Sequence, residues 1–82
     1  MRSSVETFAT KMEEKLVEND SKSGWKNKKT SVLWLQNRLK EEMSKLKIHY
    51  EDSDPAEIKK DCIDIANYAM MMFDRIQCRE EG

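Results

Sequence analysis

Glycine occurs only twice and proline once in this chain of 82 residues. That scarcity argues against a β fold, whose many turns call on both residues, and favours long helices. No stretch approaches the ~20 apolar residues needed to cross a bilayer. No apolar signal run follows Met1-Arg2-Ser3-Ser4. The formal net charge is -1, so nothing draws the chain as a whole to nucleic acid or to anionic lipid. There are two cysteines, Cys62 and Cys78. On one helix they would stand roughly 24 Å apart at ~1.5 Å per residue, too far for a disulfide. Reduced thiols fit the cytoplasm. His49 is the single histidine, with no Cys or His at zinc spacing. No Ser-His-Asp or Cys-His arrangement and no phosphate-cradling glycine loop is present.

What the chain does contain is charge and helical periodicity. Charged residues make up 38% of it and hydrophobic residues another 38%, in a length that allows one domain spanning residues 1–82. A domain this small buries a low fraction of its surface and is marginal alone. Ser3 and Glu6 read as a capping box, and Val5, Phe8, Met12 and Leu16 recur at helical spacing, which predicts a helix over about 4–18. Residues 19–30 show no periodicity and read as a loop. Thr30 or Ser31 can cap a second helix near 31–50, with Leu35, Leu39, Met43, Leu46 and Tyr50 as its apolar stripe. Asp54 as N-cap, Pro55 in the first helical position and Glu57 as a second capping box open a third helix over about 55–78. Its expected inner stripe is Ile58, Cys62, Ile65, Ala69, Met72, Phe73 and Ile76, and residues 79–82 read as a flexible tail. The expected architecture is an all-α bundle of three long helices, with room for a short fourth piece in the loop or the tail.

The third helix is too apolar for an ordinary surface helix. Ile63, Ala66 and Met70 form a second apolar patch beside its inner stripe. A helix apolar on most of its circumference is buried on most of it. Two helices of one chain cannot cover it, so a homodimer or homotetramer is expected. The plainer alternative is a Met-rich surface for another partner.

Asp64 sits inside that apolar stretch, and a buried carboxylate must be paired, hydrogen-bonded or metal-bound. Asp61 shares its face at i, i+3. On helix two, Glu42 lies at the edge of the apolar stripe and Glu41 points further out. Glu42, Asp61 and Asp64 can therefore converge at the edge of the core, where hard oxygen donors on rigid helices suit Mg²⁺ or Mn²⁺. From spacing alone, a structural salt-bridge cluster reads ahead of a metal site, with Arg38 and Lys45 neutralising Asp61 and Asp64.

The runs Arg38-Leu39-Lys40-Glu41-Glu42-Met43-Ser44-Lys45-Leu46 and Glu57-Ile58-Lys59-Lys60-Asp61-Cys62-Ile63-Asp64-Ile65-Ala66-Asn67-Tyr68-Ala69-Met70-Met71 shift that balance. From Trp25 to Asp74 the chain resembles the MazG-like all-α nucleoside triphosphate pyrophosphohydrolases, and Lys22-Ser23-Gly24-Trp25 is similar to a Lys-Gly-Gly-Trp segment of some members. The resemblance implies magnesium or manganese and hydrolysis of a nucleoside triphosphate to monophosphate and pyrophosphate. It implies Glu42, Asp61 and Asp64 as metal ligands and Asn67 as a polar contact. Two positions depart from the family pattern. Asp61 stands where Glu is usual, and Lys45 stands where a second Glu of the Glu-x-x-Glu element belongs.

Exchanging a carboxylate for an ammonium weakens cation binding by charge alone. Three outcomes stay open at Lys45: a damaged site, a lysine that holds a substrate phosphate as a point charge, or Glu41 swinging in as a substitute ligand. If the site works, Glu42 or Glu41 is the candidate general base. Lys22, Lys26, Lys28, Lys29, Arg38 and Lys45 are candidate phosphate cations, and Trp25 or Trp34 can stack on the base. Set against these roles, loop lysines are usually just solvated and a Trp in a small domain is usually core or interface. A nucleic-acid binder is disfavoured, because the basic residues of helix two are interleaved with Glu41 and Glu42. The competing expectation is a non-catalytic helical dimerisation or adaptor module.

Overall fold

The computed structural model describes residues 1–19 and 31–81, all of whose regular structure is helical. Three helices follow in order: α1 Ser3–Glu18, α2 Val32–Glu51 and α3 Pro55–Glu81. The expected loop over 20–30, with any fourth helical piece in it, lies outside the described residues. No helix among them is long and apolar enough to cross a membrane.

The helix ends follow local chemistry. Ser31 caps α2, its hydroxyl accepting from the Trp34 amide at 3.0 Å. Asp54 caps α3, with Oδ1 accepting from the Glu57 amide at 3.3 Å, and Pro55 takes the first helical position. The Glu57 side chain turns to Lys60. The expected Ser3–Glu6 capping box does not form. The helix begins one residue early, with Arg2 at the cap position and no side-chain cap bond, so Ser3 already lies within the first turn. Between α2 and α3 the chain reverses through a Schellman turn. Asp54 N–H donates to His49 O at 3.0 Å and Ser53 N–H to Tyr50 O at 3.1 Å. Ser53 takes the left-handed conformation, φ 55°, that such a turn requires and that glycine accepts more readily. α3 continues to Glu81, three residues beyond its expected end at 78 and through most of the expected tail. No glycine or proline interrupts it before Gly82.

α3 is the centre of the arrangement. It packs along α2 and also against α1, whereas α1 and α2 do not pack on each other. Among the described residues, the only fully buried hydrophobic side chain is Leu35, at 0% exposure. The expected apolar stripes face inward only in part: Leu35 is buried and Leu39, Leu46, Ile58, Cys62, Ile65 and Met72 are half-buried. On α2, Met43 and Tyr50 are exposed, and the inward line runs Leu35, Glu42, His49 at steps of seven. On α3, Ala69, Phe73 and Ile76 are exposed, and Asp61, Asp64, Asn67 and Tyr68 turn toward the other helices. Within one chain, then, α3 turns Asp61 and Asn67 to the interior and leaves the Ala69, Phe73 and Ile76 part of its apolar stripe outside.

Candidate functional site

Glu42, Asp61 and Asn67 are each only 4% exposed and form the polar centre of the molecule. Taking a carboxylate out of water costs several kcal/mol unless a partner compensates, and each of the two has one. Lys45 Nζ lies 3.3 Å from Glu42 Oε1, one turn on along α2. His49 Nδ1 donates to Asp61 Oδ2 across the α2–α3 interface. That bond to Asp61 pushes His49 above its ordinary value, although burial opposes it.

Asp64, one turn beyond Asp61, is half-buried. Burial pushes its carboxyl above the usual range. The negative charge of Glu42 adds to the push, Lys15 and Lys45 oppose it, and Asp61 raises it further. Asp64 therefore feels charges from all three helices. Asn67, one turn further along, donates from Nδ2 to the Met12 carbonyl of α1 at 3.3 Å. Its Oδ1 is buried without a hydrogen-bond partner, which is unusual in a native protein.

A second group lies toward the start of α2. Arg38 Nε donates to Tyr68 Oη at 3.3 Å, and its Nη1 meets Glu41 Oε2 at 2.7 Å. Its guanidinium lies 5.9 Å from the Trp34 ring centre and 5.7 Å from that of Tyr68, and the two rings meet edge to face at 6.4 Å. An arginine over two aromatic faces is held in place by both hydrogen bonds and cation–π attraction.

The structure thus gathers Glu42, Lys45, Asp61, Asp64 and Asn67 around the middle of α3. It does not bring Glu41 there: that carboxylate is exposed and tied to Arg38. Trp34, also exposed, belongs to the Arg38–Tyr68 group. Lys22, Trp25, Lys26, Lys28 and Lys29 lie outside the described residues. Three members escaped the reading of the sequence. His49 was detectable, since it lies seven residues after Glu42 and so shares its face. Tyr68, four residues after Asp64, was detectable in the same way. Lys15 belongs to α1 and had no signal, because only the packing of α1 on α3 brings it near Asp64.

Glu42, Asp61 and Asp64 are hard oxygen donors of the type that a divalent cation takes. Their present arrangement is closed by the two ion pairs, and among the described residues no group of three His, Cys, Asp or Glu side chains is drawn together as a ligand set. Compared with family models, curated proteins and solved structures, the chain matches none.

Proposed function

We propose that this chain is a Mg²⁺- or Mn²⁺-dependent nucleoside triphosphate pyrophosphohydrolase similar to the MazG-like enzymes, working in the cytoplasm as a homodimer or homotetramer. The observation that carries this is the burial of Glu42, Asp61 and Asn67 at 4% exposure where a domain this small would ordinarily place apolar side chains. A chain seldom keeps such a costly centre for stability, since apolar replacements of buried ion pairs are often neutral or better.

Glu42, Asp61 and Asp64 would hold the cation, which when bound neutralises phosphate charge and lowers the pKa of water. The chain's own residues then do the following. Lys45, its side chain 54% exposed, releases Glu42 and meets a phosphate oxygen as a point charge. Glu42 takes the proton of the attacking water as general base. Water adds to phosphorus, the bond to the departing pyrophosphate breaks, and monophosphate and pyrophosphate leave. Asn67 Oδ1 accepts a hydrogen bond from the substrate or its water. The free thiols Cys62 and Cys78 fit a reducing compartment. The exposed Phe73 and Ile76 fit a second copy of the chain.

The second reading, a non-catalytic helical dimerisation or adaptor module, is favoured by the two ion pairs, which already neutralise Glu42 and Asp61. Lys45→Glu separates the two. In the enzyme it restores a fourth carboxylate one turn from Glu42. The substituted protein should be less stable than wild type without metal, because the carboxylates crowd one another. It should gain more than that loss in millimolar Mg²⁺ and release pyrophosphate faster. Thermal unfolding with and without Mg²⁺, beside a pyrophosphate assay over a panel of nucleoside triphosphates, reads all three. An unchanged metal response and activity would sink the metal assignment and leave the adaptor.

A further inference from the structure

The two neighbours of α3 hold it very unequally. α2 meets it through Leu35 and Glu42, both buried. α1 has no buried residue: Met12, Lys15 and Leu16 are half-buried and the rest of the helix is exposed. Two cavities, of about 170 and 80 Å³, lie along the contact between the α1 segment and α3. Gaps of this kind forfeit the dispersion attraction that holds packed helices together.

Polar contacts do not make up the difference. Asn67 Nδ2 donates to Met12 O at 3.3 Å, while Oδ1 of the same carboxamide stays buried without a partner. A buried acceptor left unmade weighs against the docked arrangement. Two lysines of α1 pair within their own helix, Lys11 with Glu14 at 3.4 Å and Lys15 with Glu18 at 3.7 Å, so those pairs do not tie α1 to α3. A separate helix of 16 residues is marginal in water. Undocking and melting of α1 therefore go together.

What α1 covers is one end of the polar centre. Glu42 and Asp61 are answered from α2, by Lys45 and His49. Asp64 and Asn67 lie toward α1. Lys15 lines both cavities together with Asp64, and Met12 takes the Asn67 amide.

We infer that α1 is a detachable, autoinhibitory cover: it leaves α3 while α2 and α3 stay paired, and its departure frees Asp64 and Asn67 to engage a divalent cation and its substrate. The detachment stands on the packing alone, and the inhibition rests on the proposed hydrolase reading. With α1 docked, a lysine ammonium stands by Asp64, and like charge disfavours a second cation there. The cation therefore binds the undocked state better, and its apparent affinity scales with the fraction of chains in that state.

Amide hydrogen exchange on the full chain, resolved to single residues in low urea, reads the detachment. Residues 10–16 should be protected about a hundredfold less than residues 39–46, evenly along the helix, and with a weaker dependence on urea, because a smaller surface opens. One common protection and one urea slope for both helices mean that α1 opens only with the whole chain and overturn the inference. Protection in α1 that merely grades away from its ends is fraying and overturns it too. Leu16→Ala should raise the undocked fraction about tenfold, on roughly half the burial of a core leucine. Mn²⁺ affinity, from electron paramagnetic resonance with the metal alone, and pyrophosphate release below saturation should each rise by that factor. Glu13→Gln, at an exposed position of the same helix, should change neither. Mn²⁺ binding and hydrolysis that Leu16→Ala leaves unchanged remove the inhibition and keep the enzyme. A chain that binds no Mn²⁺ and releases no pyrophosphate in either form refutes the hydrolase reading and the inhibition with it, and the exchange still decides the detachment.

Discussion

Two stretches of the same long helix make opposite use of their surroundings. Around Asp61 and Asn67, α3 meets its neighbours with polar side chains that are 4% exposed. Twelve residues beyond Asp61, Phe73 stands 70% exposed, with Ile76 at 41% beside it. Burying a phenylalanine is worth roughly 1.5–3 kcal/mol, whereas a buried ion pair is often no better for stability than apolar side chains in its place. A chain optimised for its own stability would exchange the two. The inversion makes sense if the polar stretch is held for its chemistry and the apolar stretch is completed by a partner. It also shows how little apolar substance a domain of this size can spare when its middle is given over to ionisable groups.

The largest effect that can break this contrast is expected at Leu35. As the one fully buried hydrophobic side chain described, it anchors the α2–α3 contact, and Leu35→Ala should cost about 2–5 kcal/mol of unfolding free energy. Thermal or urea unfolding followed by circular dichroism measures it. A loss well under 1 kcal/mol would mean that another interface, and not Leu35, holds the helices together.

A middle-sized effect is expected from the outer stripe. Phe73→Glu should leave helical content nearly unchanged in the separate chain, because the side chain is already in water, and should abolish association. Wild type should sediment at twice the chain mass or more at micromolar concentration, and the variant at the chain mass. A wild type that sediments as a single chain removes the partner from the account and leaves Phe73 unexplained.

The smallest effect belongs to the ion pair in the polar stretch. The hydrogen bond to Asp61 raises His49 in the folded protein, helped by the charges of Asp61, Glu57 and Asp54 and opposed by burial. A group raised on folding contributes stability that is complete below its unfolded value near 6.5 and is lost as pH rises through the folded value. Asp64 is also raised, chiefly by burial, so its contribution likewise falls with rising pH, in a window that starts at 3.8. The unfolding temperature should therefore decline as pH rises above about 6.5, and His49→Gln should flatten that decline. A profile that is as steep in the variant would locate the titrating group elsewhere.

Helix existence, order and most boundaries were legible because they depend on local chemistry. Ser31, Asp54 and Pro55 act within a few residues of where they stand, and the scarcity of glycine leaves little else for the chain to become. The membership of the polar centre was half legible. Glu42, Asp61 and Asp64 stood out as carboxylates at helical spacing beside apolar residues. The inward faces were misjudged for one physical reason: hydrophobic periodicity finds the face that avoids water. Here that face and the one turned to the rest of the chain overlap only in part, so Leu35 was placed correctly and Met43, Tyr50, Phe73 and Ile76 were not.

By itself, then, the sequence determined three helices, their caps and the acidic residues along them, all through interactions that span no more than a turn or two. Only the tertiary structure decided which stripe of α3 meets α2, that His49 rather than Arg38 answers Asp61, and that Lys15 of α1 comes to Asp64. Those outcomes depend on how α1 and α2 dock against α3. Docking is a sum over many side chains far apart in the chain, and no local spacing carries it.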